Sequence, residues 1–397
     1  MGITRIQLDA TLDELRLPEM ETLLDGRQQK KIAGRDDWAI RTGTFWTGPS
    51  AGVEVVELCN GPLSIYVLPT RGMGIWKARY EELTLGWQSA VPHPVHPHYV
   101  NLHSRNGLGW LDGFNELLCR CGLASNGPPG HDDGAKSPLE SDLTLHGKIA
   151  NLPAHDVELF VDDETQTIGV TGIVSECSLF GPQLQLRSTI STKVGSDTID
   201  ILDEVTNVGP ETSEMQLLYH ANFGRPFLEE GSQVECAADR VIPRDSQAAE
   251  GVRTHTSCLG PTNGFAEQVY YYQLRADTDG QTRALLKNRA GDRAVSLAFN
   301  ISQLPCFSVW KCTQDERAGY VAGLEPATNY PNFKTFERHH GRVVQLPSGK
   351  TYTSALQIQI HDNSESVAAC SAQIKSLQGT GEPRLHSHPA SPYCPID

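Results

Sequence analysis

The runs VELFVDD (157–163), TIGVTGIVSEC (167–177), QLQLRSTISTKV (183–194), DTIDILDEVTNV (197–208) and EMQLLYHANF (214–223) follow one another with only short turns between them. Together they keep an extended pattern, separated by Gly, Pro, Asp and Asn turns, as successive strands do. Strands this close together have no room for crossover helices, so they predict antiparallel sheets and exclude βαβ units. Similar runs recur at QVYYYQLRAD (268–277), RALLKNR (283–289), AVSLAFNIS (294–302) and TSALQIQIH (353–361). Upstream, GVEVVELCNGPLSIYVLP (52–69) reads as a hairpin around Asn60-Gly61. The expected fold is mainly β, a large antiparallel two-sheet sandwich spanning residues 41–362.

The flanks read differently. Leu12, Leu15, Leu17, Met20, Leu23 and Leu24 recur at loosely helical spacing, which predicts a short N-terminal helix in an extension over 1–40. Residues 363–397 carry Pro and Ser with little core material and are expected to form an arm or tail. Between Val91 and Leu145 the chain is rich in His, Pro, Gly and Asn, and long irregular segments inside compact domains are often functional.

Bulk properties narrow the partners. In 397 residues, 33 Lys and Arg stand against 48 Asp and Glu, a formal charge of −15 that repels phosphate backbones and anionic lipid. Neither nucleic acid nor a membrane is an expected partner. The start MGITRIQLDA lacks the basic-then-apolar pattern of a secretory signal, so a cytoplasmic protein is expected. Ten dispersed cysteines without a CxxC pair predict free thiols, not a zinc site or redox couple.

Three segments offer chemistry. YHANFGRPFL (219–228) puts His220 and Asn222 on one face of a strand, where an imidazole exchanges a proton near neutrality and the amide either orients it or binds hydroxyls. YVAGLEPATNYPNF (320–333) sets Glu325 after an apolar run, where partial burial makes a carboxylate a usable base. LHGKIANLPAH (145–155) adds His146 beside Gly147. Alone, a strand histidine such as His220 is more often a satisfied structural residue, and Glu325 reads equally as a turn-capping or salt-bridged glutamate.

In this order, LHG, then H-x-N-F, then GLEP, the segments resemble the galactose mutarotase-like (aldose 1-epimerase) superfamily. The resemblance covers about Val53 to Ile360 and implies a many-stranded sandwich with an open cleft on one sheet. It further implies an isomerase that interconverts sugar anomers by acid-base ring opening, with His220 as acid, Glu325 as base and His146 as a sugar contact. Arg120, Arg71, Asn222, Glu267, Trp310 and Lys311 take further substrate-binding positions in that comparison. It implies no cofactor, no metal, and a small-molecule carbohydrate as partner of a monomer or homodimer. HANFG in place of H-x-Y-F-N and the segment GWLDGFNELLCRCGL (109–123) depart from ordinary mutarotases. Another isomerisation, lyase or hydrolase step on the same fold, or carbohydrate binding without catalysis, therefore stays open. HPVHPHYVNLH (93–103) gathers His93, His96, His98 and His103, but at no recognised metal-ligand spacing. PPGHDDG (128–134), with His131, Asp132 and Asp133, reads as a cleft-lining segment or a polar turn.

Overall fold

The computed structural model describes residues 17–29 and 31–396. The extended runs form two large sheets. The second sheet orders Ala154–Asp162, Thr167–Cys177, Gln183–Lys193, Thr198–Asn207, Thr351–His361, Ala294–Asn300, Gln281–Lys287 and Gln233–Cys236. The first sheet runs from Met20–Asp25 through Ala39–Thr44, Glu54–Cys59, Leu63–Leu68 and Gly74–Tyr80 to Leu118–Leu123. It continues through Ser213–Phe223, Val321–Ala327, Cys306–Cys312, Gln268–Leu274 and Ala238–Pro243 to Arg384–Leu385. The strand pairs are antiparallel except the last, where Arg384 and Leu385 lie parallel to Arg240 and Val241.

One hydrophobic core fills the space between the sheets. Ile65, Val67 and Ile75 of the first sheet join Ile168, Val170, Leu186 and Ile190 of the second, and Leu217, Ala221 and Phe223 join Leu356, Ile358 and Ile360. Burying such side chains contributes about 1.5–3 kcal/mol each, which is what two inward-facing rows gain by stacking. Polar ties also cross this core. Tyr219 and Ser354 hydroxyls meet at 2.8 Å. Arg120 forms a buried fork with Asp203 through Nε at 2.5 Å and Nη2 at 3.0 Å, and also donates to Ser188 Oγ and the Met73 carbonyl.

The flanks differ from expectation. Leu12 and Leu15 lie outside the described residues, but Met20, Leu23 and Leu24 stand in a strand, not a helix. That strand pairs with Ala39–Thr44, so the sheet runs through the expected boundary at residue 40. Loosely spaced leucines fit either period, and the open sheet edge decides in favour of extension. The C-terminal segment is packed as well. Asn363 caps a helix over Ser364–Gln378 by accepting the Ser366 N–H, and Val367, Cys370 and Ile374 lay one face of it on Ala237, Leu285 and Ala294. Among the described residues no helix is long and apolar enough to cross a membrane.

Removing one partner of a buried ion pair leaves a charge without compensation. Asp203→Ala should therefore cost about 3–5 kcal/mol in urea denaturation, and Arg120→Met combined with Asp203→Leu should recover most of it. A loss under about 1 kcal/mol for the single variant would show that this tie does not hold the sheets together.

Candidate active site

The pleat of Ser213–Phe223 creates the site. Leu217, Tyr219, Ala221 and Phe223 point into the core between the sheets, so Gln216, Leu218, His220 and Asn222 face the opposite way. Leu218 pairs with Ala327 and Ala221 with Leu324, a register that sets His220 across from Glu325. Cys119 lies opposite His220 on its other side. Ser308 lies opposite Glu325, and Tyr271 opposite Ser308. The outer face of the first sheet thus carries a transverse row, Cys119, His220, Glu325, Ser308 and Tyr271, contributed by five neighbouring strands.

Within that row His220 Nε2 and Glu325 Oε1 stand 3.4 Å apart, on side chains only 6% and 5% exposed. The Asn222 amide donates to the carbonyls of Glu116 and His220, both at 3.0 Å, which turns its Oδ1 toward His220 Nδ1 at 2.7 Å. Nδ1 must then carry the proton, and Nε2 is the working nitrogen facing Glu325. Burial pushes His220 down to about 3, helped by neighbouring His146 and opposed by the Asn222 hydrogen bond. Burial also pushes Glu325 up to about 8, with Glu267 adding to the rise and Arg244 opposing it. Across the neutral range the pair therefore holds a single proton. Neutral imidazole with carboxylic acid and imidazolium with carboxylate are the two arrangements of that one proton. Gly323 makes room for the carboxylate, since a Cβ there would sit 2.7 Å from Glu325 Oε1.

The irregular segment supplies a roof. Trp110 is 4.7 Å from His146 and 6.1 Å from His220 between ring centroids, and Phe114 is 5.0 Å from His220. His146 takes a left-handed backbone (φ 58°) and donates from Nδ1 to the Asn126 carbonyl at 2.9 Å, leaving Nε2 as an acceptor. Burial lowers its pKa to about 4, so it enters the site neutral. The next residue has to be glycine, because a Cβ at Gly147 would lie 2.1 Å from the Ser125 carbonyl oxygen. Asn126 is held in turn by a reciprocal amide pair with Asn329, two bonds of 2.9 Å, which ties the His146 loop to the chain just after Glu325.

On the far side Trp310 lies 5.3 Å from His220, and its indole N–H donates to Glu267 Oε2 at 2.7 Å. Glu267 Oε1 accepts from Arg244 at 2.9 Å. His220, Glu325, His146, Trp310, Glu267 and Asn222 thus converge. The aromatic roof and Arg244 were not singled out by the sequence, although Trp110 and Phe114 fall within the unusual GWLDGFNELL run.

Three expected contacts are corrected. Arg120 lies between Cys119 and Cys121, points into the core and is saturated there by Asp203, Ser188 and Met73. Lys311, one residue from Trp310, faces the opposite side of its strand and donates to the Thr254 and Ser257 carbonyls, at 3.1 and 2.7 Å. Arg71 is buried beneath the site, where it pairs with Glu116 at 2.8 Å and bonds Asn151 and the Gly113 carbonyl. Its effect on the site is indirect, through the Glu116 carbonyl that holds Asn222. Asn222 orients His220, and both N–H bonds of its amide go to the Glu116 and His220 carbonyls.

The polar loops are accounted for separately. His96 Nδ1 accepts the His98 N–H, and Asp132 is paired with Arg338 at 2.7 Å. His131 meets Asp142 at the surface. Among the described residues no three His, Cys, Asp or Glu side chains gather as a metal site would require.

The fold is that of a galactose mutarotase-like protein. The chain belongs to the DUF4432 family, described as a domain of unknown function, whose model matches residues 50–360. A Klebsiella pneumoniae structure provisionally named an aldose 1-epimerase is 33% identical, with a TM-score of 0.86, over 94% of this chain and 99% of that one. A Clostridium acetobutylicum galactose mutarotase-like protein shares the fold at 16% identity and TM-score 0.54, over 82% of this chain and 99% of the other. The galactose 1-epimerase of Lactobacillus acidophilus does so at 12% identity and TM-score 0.52, over 82% and 99%. No curated protein matches the chain.

The raised Glu325 pKa has a signed consequence for stability. Its folded-state value, about 8, lies above the ordinary carboxylate value, so the folded protein keeps a proton that the unfolded chain releases. That contribution is fully present below about pH 4.5 and is lost as pH rises through about 8. Glu325→Gln cannot lose it. Urea unfolding should show the variant gaining on wild type by about 3–5 kcal/mol between pH 5 and pH 9. A constant difference across that range would mean that the carboxyl is not held protonated by burial.

Proposed function

We propose that the protein is an aldose 1-epimerase-like isomerase that interconverts the anomers of a sugar, with His220 and Glu325 as its acid-base pair. The observation that carries this reading is the 3.4 Å separation of His220 Nε2 and Glu325 Oε1. Opening a cyclic hemiacetal removes the proton from the hydroxyl on C1 and delivers one to the ring oxygen. Both oxygens are bonded to the same carbon, so acid and base must be adjacent and aimed at one point.

In the reactive arrangement Glu325 is ionised and His220 is protonated at Nε2. Glu325 takes the C1 hydroxyl proton while His220 protonates the ring oxygen, and the C1–ring oxygen bond breaks to give an open-chain aldehyde. Rotation about C1–C2 presents the other face of the aldehyde. On closure His220 takes the proton back from the former ring-oxygen hydroxyl as that oxygen attacks C1, and Glu325 gives its proton to the carbonyl oxygen, so the enzyme ends as it began. Each positioned proton transfer contributes about 10²–10⁴ in rate. His146 Nε2 accepts a sugar hydroxyl, Glu267 accepts others, and Trp310 with Phe114 offers apolar faces to the ring's C–H groups. A neutral sugar suits this site, because Arg244 is already engaged by Glu267 and Asp245.

Anomer exchange measured by NMR across unmodified, acidic, phosphorylated and sulfonated sugars tests the reading directly. On a sugar that is turned over, Glu325→Gln and His220→Asn should each lower exchange by about 10²–10⁴ with the fold intact. Retention of activity within a few-fold by Glu325→Gln would remove it as the base. The rate of the wild type should hold through neutrality and fall above about pH 8, where the pair loses its one proton.

A further inference from the structure

Of the groups on the outer-face row that no role above uses, Cys119, Ser308 and Tyr271, one is buried without a polar partner. Ser308 is 1% exposed, stands directly across from Glu325, and its Oγ has no hydrogen-bond partner. Leaving a hydroxyl buried and unbonded is costly, so such a group calls for a partner supplied at another stage of the cycle. Glu325 has the complementary need. Among the described residues its carboxylate accepts no hydrogen bond, although its ionised form is the base. Cross-strand partners in an antiparallel pair hold their Cβ atoms about 4.5–5.5 Å apart, so rotation of the serine and glutamate side chains brings Oγ–H to the carboxylate.

Resting on the reading above, we propose that Ser308 is a positioning residue whose hydroxyl donates to the Glu325 carboxylate while it is ionised. The other groups facing Glu325 cannot take this place. His220 meets it from the Ser213–Phe223 strand as its proton partner. Burial keeps the Cys119 and Cys121 thiols on Leu118–Leu123 protonated, and an S–H is only a weak donor. The Tyr271 hydroxyl on Gln268–Leu274 is committed to Asn332 Oδ1 at 3.1 Å, and burial keeps it protonated. Arg244 and Glu267 face it as a pair joined at 2.9 Å, and His146 is bound to the Asn126 carbonyl. Trp110 Nε1 is a second unbonded donor, but it belongs to the roof, with its ring set against His146 and His220. Ser308 thus shifts the shared proton toward His220, which is the arrangement that starts the reaction.

Two variants separate this from a packing role. Ser308→Ala removes the hydroxyl with little change in size, and Ser308→Thr restores it. The alanine variant should lower kcat about 10- to 100-fold near neutrality with KM changed less than about threefold. It should also move the alkaline edge of the rate profile upward by about one pH unit or more, since the remaining proton is held more tightly. Threonine should return both toward wild type. A loss of rate with an unmoved or lowered edge would overturn the proposal, as would unchanged kinetics. A direct reading uses no sugar: the infrared carboxylic-acid band of Glu325, assigned by its absence in Glu325→Gln, should titrate at higher pH in Ser308→Ala. If no sugar is anomerised, the proposed function fails while this titration still decides the role of Ser308. An unmoved band would reject it.

Discussion

The alternation of side chains along Ser213–Phe223 is the constraint on which the rest of the molecule depends. Its odd-numbered residues, Leu217 through Phe223, must lie in the core between the sheets. That fixes the strand's register and rotation, because a slip by one residue would expose this whole set. The even-numbered residues are then placed on the outer face without freedom of their own. His220 is thus oriented by the burial of its neighbours before it makes any polar contact. The same holds for Glu325, whose neighbours Ala322 and Leu324 belong to the core.

Holding an imidazole and a carboxyl this deep has a cost that packing alone does not repay. Desolvation disfavours the charged forms of both, and it is the largest influence on each. The cost is contained by adjacency, since two groups that share one proton can be neutral together or charged as a pair without changing the net charge of the site. The second requirement is orientation. Asn222 fixes which nitrogen of His220 works, and it is fixed through the Glu116 carbonyl, with Arg71 pairing the Glu116 side chain below. Arg71 and Arg120 are both fully engaged beneath the site surface, so their contribution to function passes through the shape of the sheet.

The strand periodicity made the two-sheet sandwich legible and put His220 and Asn222 on one face, whereas the meeting of His220 with Glu325 was legible only through the ordered resemblance of three segments. Parity in the same strands also contained the two errors at Arg120 and Lys311. If Cys119 and Cys121 share a face with His220, Arg120 between them cannot. If Trp310 faces the site, Lys311 beside it faces the core. The flanks were less legible for a different reason. Whether Met20–Asp25 is a helix or a strand depends on a partner edge that local spacing does not reveal, and the core contacts of Ser364–Gln378 come from residues far away in sequence. Arg244 and the Asn126–Asn329 pair left no local signal, because their significance lies only in what they meet.

The irregular segment also follows from burial. A strand face alone would leave His220 and Glu325 open to water, where neither pKa would move far. Trp110 and Phe114 close that face with rings in contact at 4.4 Å, and Trp87 backs Phe114 at 5.0 Å while donating to the same Glu116 carbonyl as Asn222. In this segment Trp110 and Phe114 turn toward the sheet while Leu108 and Leu111 between and beside them stay exposed, an arrangement held by short turns of helix. Its irregularity is the geometric result of covering a flat sheet from above. The low exposure of the acid-base pair, and hence its shared proton, is therefore a property of this cover as much as of the strands beneath it.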